Sequence, residues 1–269
     1  MSPPGTGLRT VVELDRVTRT YPNGTRALDA VSLAVAEGEF VTLLGPSGCG
    51  KSTLLGIAAA LQPPSRGAVR WWGEGAERIG AAGHRLAMVF QSATLMPWLR
   101  VASNVRLPLD LAGVGRGAAE RAARDTLMRV GLAGCEASYP RVLSGGMQMR
   151  ASLARALVTE PDLLLMDEPF GALDEITRAR LDADLLGLWA QRGAGRRLTV
   201  VFVTHSIYEA VYLSQRVVVM SARPGRIAGE VAIDEPYPRT DDFRVSQRFA
   251  SHARALQRLL AAATGAEAG

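Results

Sequence analysis

The chain has 269 residues, with 31 Lys or Arg against 26 Asp or Glu and a net charge of +5. Hydrophobic content of 48% with 21% charged residues excludes a disordered chain, and no apolar run approaches the about 18–20 residues that span a bilayer. Lys51 is the one lysine and the other thirty basic residues are arginines. This excludes a kinase-type strand lysine beside a separate glycine-rich loop, the paired phosphate and guanine lysines of a small GTPase, and a lysine-rich lipid patch.

Met1 to Thr10 lacks the charged-then-apolar pattern of a signal peptide. Val11–Val17 and Ala30–Ala36 alternate as sheet does, and Glu39–Leu44 is a strand-like run ended by Gly45. A helical pattern over Lys51–Leu61 is expected to stop at Pro63-Pro64. Val69–Trp72 and Leu86–Phe90 read as short strands. From about Leu95 to Val158 the character changes, and Ala, Leu and Arg at helical spacing dominate Gly117–Val130 and Met147–Val158. Strands return at Leu163–Met166, Thr199–Val203 and Val217–Met220, in runs without alternation that suit parallel strands buried on both faces. Helices are expected at Asp174–Arg192 and Ile207–Leu213, and over the tail from Thr240 to Ala263. The order implies an α/β domain with a largely parallel sheet, split by a helical insertion. Cys49 and Cys135 form no close metal or redox pair. The arginines are scattered, with Arg196-Arg197 the adjacent pair, so a solvated surface is expected and no nucleic-acid partner. His84 and His252 match no motif and read as surface residues.

Gly45-Pro46-Ser47-Gly48-Cys49-Gly50-Lys51-Ser52-Thr53 fits the Walker A pattern between a strand and a helix. Its glycines let backbone N–H groups close around a phosphate, and the helix start points its positive end there. Lys51 adds a full charge, and the Ser52 hydroxyl suits Mg²⁺, which keeps most of its water. Cys49 is a filler position in the pattern. Leu163-Leu164-Leu165-Met166-Asp167-Glu168-Pro169 is an apolar strand ending in two acids, at the edge where ligands of such sheets bind. There Asp167 would hold the ion's hydration shell and Glu168 would polarise an attacking water. Leu143-Ser144-Gly145-Gly146-Met147-Gln148 precedes a helix and forms a second anion-binding helix start.

With these three segments standing along the chain in the family's order, the last described lying before the two acids, the chain resembles the nucleotide-binding subunit of an ABC transporter over nearly its whole length. The resemblance implies a P-loop NTPase core, an antiparallel β subdomain near the N-terminus and an inserted α-helical subdomain. It places the ATPase domain at residues 10–235 (core 10–92 and 160–235, helical part about 93–159) and a helical tail at 236–269. It implies ATP and Mg²⁺ as cofactors and a head-to-tail dimer, in which Ser144, Gly145 and Gly146 touch the γ-phosphate held by the partner copy. Tyr21 matches the aromatic that stacks on adenine. Gln91 matches the glutamine that reaches Mg²⁺ and water, Asp174 the D-loop acid, and His205 the switch histidine at the γ-phosphate. Met147 stands where glutamine is common, and Gln215 where relatives often carry an acid; little effect on chemistry is expected from either.

Met96-Pro97-Trp98, Ser144–Met147, Ser221–Ile227 and Asp234–Arg239 are similar to the branch importing nitrate, sulfonates and taurine. That branch implies permease subunits docking near Trp98, a substrate-binding protein, and a location on the cytoplasmic face of the cell (inner) membrane. The other readings are the ATPase of an exporter, and a soluble ABC protein acting on ribosomes or DNA. The latter is opposed by the single cassette and the absence of sustained heptads.

Overall fold

The computed structural model describes residues 9–75, 79, 83–190 and 198–265. Arg196-Arg197, most of Met1–Thr10 and the last residues of the expected helix Asp174–Arg192 lie outside the described residues. Three strands, β1 (Thr10–Thr20), β2 (Arg26–Ala36) and β4 (Arg66–Trp71), form an antiparallel sheet in the order β2-β1-β4. The second sheet joins β3 (Phe40–Leu44), β5 (Leu86–Val89), β6 (Leu163–Asp167), β7 (Thr199–Thr204), β8 (Arg216–Met220) and β9 (Ile227–Ala232). Its order is β5-β6-β7-β3-β8-β9, parallel except for β9, which runs antiparallel to β8.

The unalternating runs are explained by burial on both faces. Every residue of β3 and β7 is buried, and their side chains alternate between two cores. Phe40 and Leu44 face one core with Phe170, Phe202 and Leu213. Val41 and Leu43 face the other, made with Leu54, Ile57 and the antiparallel sheet. The central strand β3 thus delivers its C-terminal loop between two packed layers.

Helix α1 (Lys51–Ala58) is shorter than its sequence pattern. Ala60 takes a left-handed conformation (φ 56°), and Leu61 N–H donates to Gly56 O at 2.9 Å. This Schellman-type closure ends the helix before the prolines are reached. The insertion holds α2 (Val101–Leu111), α3 (Arg116–Arg129) and α4 (Gly145–Leu157). Pro108 obscures α2 in the sequence, yet the helix runs through it. Buried Asn104 on α2 fixes the preceding loop: its Oδ1 accepts from Met96 N at 2.7 Å, and its Nδ2 donates to Met96 O and Leu99 O at 3.1 Å each. Trp98 on that loop is 71% exposed.

Helices α5 (Glu175–Ala190) and α6 (Ile207–Leu213) flank β7. The tail forms α7 (Asp241–Arg244) and α8 (Gln247–Thr264), two helices where one pattern is read. Phe243, Phe249 and Leu256 of the tail join the same core as Phe202, so the tail is a cap on the sheet. Buried Arg239 ties it down by donating to Val211 O, Tyr212 O and Ser214 O, each at 2.9 Å. His84 and His252 are not plain surface residues. His84 stacks on Trp72 with centroids 4.2 Å apart, and His252 Nε2 lies 3.1 Å from Asp234; both rings are largely covered because their flat faces bury well.

Candidate functional site

The loop Gly45–Gly50 leaves β3 and enters α1, whose first residue is Lys51. Gly50 takes φ 100°, and a Cβ there would stand 2.8 Å from Ala27 O, so a side chain is excluded on both counts. The loop borders a cleft of about 580 Å³ at the carboxyl edge of the parallel sheet. Tyr21, Ser47, Gly48, Gly50, Lys51, Ser52, Thr53, Gln91 and Glu168 line it, joined by Thr25, Ala27 and Arg223. Gly45 and Cys49 are buried behind the loop and Pro46 is half-buried. The Cys49 side chain is turned into the core, where burial pushes its thiol pKa up, so Cys49 can offer the cleft its backbone alone.

Lys51 is 4% exposed. Its Nζ donates to Gly45 O at 2.8 Å and Pro46 O at 3.1 Å, and lies 3.4 Å from Glu168 Oε1. Ser52 Oγ donates to Asp167 Oδ1 at 2.9 Å. Burial pushes the Asp167 carboxyl pKa up, and the Ser52 hydrogen bond pulls it back. Glu168 follows β6 with φ 43°, a left-handed conformation uncommon for a side chain of this size. Its N–H donates to Val203 O on β7 at 3.0 Å, and its Oε2 lies 3.1 Å from His205 Nδ1. Lys51 and His205 therefore grip opposite oxygens of one carboxylate. Tyr21 and Thr53 share a hydrogen bond of 3.1 Å across the mouth. Gln91 is exposed at the rim.

The donor set fits a hydrated divalent cation. Ser52 Oγ and Asp167 Oδ1 offer two adjacent oxygens from the protein. That suits an ion held by water and phosphate oxygens more than by protein. No acid occupies the first turn of α1 or α4, which leaves both helix starts to an anion.

Ser144, Gly145, Gly146 and Asp174 do not line this cleft; the start of α4 lies instead against Leu173 and Thr177, on either side of Asp174 along the chain. Ser144 Oγ accepts from Met147 N at 3.3 Å and caps α4. A Cβ on Gly146 would stand 2.9 Å from Thr177 Cγ2, and one on Gly145 3.5 Å from Leu173 Cδ2. Asp174 Oδ1 accepts from Thr177 N at 2.9 Å, and such backbone donors hold its carboxyl pKa low. The Met147 side chain packs half-buried against the core. Gln215 Oε1 accepts from Phe40 N at 3.0 Å, a bond an acid there could also make.

A family model described as "ABC transporter" matches residues 28–171. The chain belongs to the ABC transporter family. It is 47% identical to the taurine import ATP-binding protein TauB of Burkholderia pseudomallei, over 77% of each chain. It is 41% identical to the aliphatic sulfonates import ATP-binding protein SsuB of Bacillus cereus, over 85% of this chain and 88% of that one. The dimeric structure of MJ0796, a bacterial ABC transporter cassette, superposes with a TM-score of 0.71 at 32% identity, covering 84% of this chain and all of that one. A second structure of MJ0796 holds ADP and Pi in a post-hydrolysis dimer. The chain is an ABC ATPase cassette and uses a nucleotide.

Three cleft residues escaped the motifs. Thr25 approaches from the turn between β1 and β2 and Ala27 from the start of β2, and no local signal marks them. Arg223 approaches from the connection between β8 and β9; its only signal is the Arg-Pro-Gly-Arg run within Ser221–Ile227.

Proposed function

We propose that the chain energises an ABC importer of a small anion or organic solute such as a sulfonate, taurine or nitrate. The observation that carries the reading is the division between the two sites. Lys51, the Ser52–Asp167 pair and the Glu168–His205 pair converge on one cleft, whereas Ser144–Gly146 is not part of its lining. Two copies arranged head to tail give each cleft the missing helix start. The names of TauB and SsuB support import and this substrate class.

In this reading the loop N–H groups and Lys51 Nζ bind the β- and γ-phosphates of ATP, and Tyr21 faces the adenine. Lys51 exchanges its carbonyl partners for phosphate oxygens. Ser52, Asp167 and Gln91 would hold Mg²⁺, which would supply positive charge against the charge that develops on the phosphates. Glu168 orients the attacking water and takes its proton; His205 fixes the Glu168 carboxylate and reaches the γ-phosphate. Ser144, Gly145, Gly146 and Asp174 act on the nucleotide of the partner copy. ATP bridges the two copies and favours the closed dimer, and hydrolysis removes the bridge. The loop around Trp98, braced by Asn104, receives the permease subunits. These subunits hold the chain at the cytoplasmic face of the membrane, and a substrate-binding protein delivers the solute. Among the described residues no helix is long and apolar enough to cross a membrane.

Mixing two inactive variants tests the arrangement. Lys51→Ala removes the phosphate-loop charge. Gly145→Asp puts an acid at a helix start where a Cβ has ordinary space, so the fold tolerates it and a polyanion does not. Each variant alone is expected to be inactive. Their mixture regains ATP turnover, because the hybrid dimer rebuilds one intact sandwich. A mixture as inactive as its parts would sink the head-to-tail reading.

A further inference from the structure

The connection between β8 and β9 is fastened to the outside of the phosphate loop. Ser221 N donates to Arg226 O at 2.9 Å and Arg226 N to Ser221 Oγ at 3.1 Å, closing the turn. Gly225 joins the β2 backbone: its N–H donates to Ala27 O at 2.9 Å, and its carbonyl accepts from Asp29 N at 2.9 Å. Arg226 pairs with the Asp29 carboxylate, whose pKa it holds low. The turn is thus braced against the antiparallel sheet and against β8, the neighbour of β3.

From this base two residues meet successive carbonyls of the loop. Arg223 Nε donates to Gly48 O at 2.9 Å. Gly225 packs so closely on Cys49 O that a Cβ there would stand 2.1 Å from it. In a trans peptide the carbonyl and the N–H point in opposite directions. Holding the Gly48 and Cys49 carbonyls outward therefore turns the Cys49 and Gly50 N–H groups inward; the former now crosses the loop to Pro46 O at 3.3 Å. The two arginines of the turn differ in state. Arg226 pairs with a carboxylate that it shares with Arg26, whereas no acid pairs with Arg223 among the described residues, and Arg223 borders the cleft.

We infer that Arg223 is a positioning residue of the nucleotide site: it clamps the carbonyl side of the phosphate loop, so that the loop's N–H groups stay aimed at phosphate. The inference rests on the phosphate-loop reading above. It assigns Arg223 a share of nucleotide affinity for both ATP and ADP, since the clamped peptides serve phosphates common to the two.

The test compares Arg223→Ala, Arg223→Lys and the wild type by fluorescent-ADP titration, steady-state ATP hydrolysis and thermal melting. Losing one charge-assisted hydrogen bond predicts that Arg223→Ala weakens ADP binding and raises the KM for ATP by about tenfold each, with kcat at saturation reduced less than about threefold. Arg223→Lys, which can still donate to Gly48 O, recovers most of that affinity. Unchanged KM and ADP affinity in Arg223→Ala would overturn the inference. So would an affinity loss that lysine does not relieve, or a fall in melting temperature with KM unchanged, since both describe a residue that serves only the fold. Lys51→Ala, run in parallel, separates the two failures: if it still binds nucleotide tightly, the phosphate-loop reading fails, and if it alone loses binding, only the role of Arg223 fails.

Discussion

The two glycine-bearing helix starts, at α1 and α4, look alike in sequence and differ in their surroundings. The start of α1 is ringed by charge: Lys51 within 3.4 Å of Glu168, Ser52 on Asp167, and Glu168 on His205. The start of α4 has a hydroxyl cap, two glycines and a neutral neighbour, Met147. In the proposed reading the first site binds an anion and acts on a water, and the second binds an anion. Half a site of each kind on one chain is a physical reason to expect a second copy, because neither half bridges ATP alone.

The largest expected effect removes the carboxylate proposed to act on the attacking water. Glu168→Gln lowers kcat for ATP hydrolysis by about 10³-fold, while ATP binding persists and a dimer accumulates on size exclusion in ATP. Turnover near the wild-type rate would take Glu168 out of the reaction. Next comes the single lysine. Lys51→Ala weakens ATP binding by about 100-fold in a titration with fluorescent nucleotide. Lys51→Arg fares little better, because a planar guanidinium cannot occupy a niche 4% exposed that fits a compact ammonium. Retained tight binding in either variant would break the contrast between the two helix starts.

Gly145→Asp probes the other half. It abolishes hydrolysis, yet leaves nucleotide affinity of the separate cleft within about twofold and the melting temperature unchanged or slightly higher, since an acid suits a helix N-terminus. A loss of affinity equal to that of Lys51→Ala would mean that the two halves are not separate.

The smallest effect lies away from both. Asp182 on α5 is buried, and burial followed by the nearby Glu209 carboxylate pushes its pKa up to about 7, with Arg244 of the tail pulling back. A carboxyl whose folded pKa is raised keeps its proton after the unfolded chain has released its own. Its contribution to stability therefore declines as pH rises from about 4 to about 7. Asp182→Asn removes that titration. The melting temperature of the variant relative to wild type should climb across this window by a few degrees and level off above it. A difference independent of pH would show that Asp182 does not titrate there.

Local signals made much of the fold legible. The β3, β6 and β7 runs read as buried strands because both their faces are covered, and α6 was bounded correctly because Ser206 caps it and Ser214 ends it. Strand β9 escaped because none but alternate residues are half-covered and Gly229 interrupts it. Helix α2 escaped because Pro108 reads as a breaker, though α2 is anchored by Asn104. The end of α1 was misplaced because Ala60, not a proline, takes the left-handed turn.

The places of the lone lysine and of the acids after β6 were decided by sequence, since the proposed phosphate cradle is built from contiguous backbone N–H groups and needs its charge at a fixed step along the chain. Which of thirty arginines touches that cradle was not. Arg223 lies 175 residues beyond Gly48, and only the strand order β7-β3-β8 brings the two together. Tertiary structure likewise decided that Ser144–Gly146 lies outside the lining of its own chain's cleft. The reason is the same: a motif is written in neighbours along the chain, whereas the side of the sheet on which it ends is fixed by which strands pair.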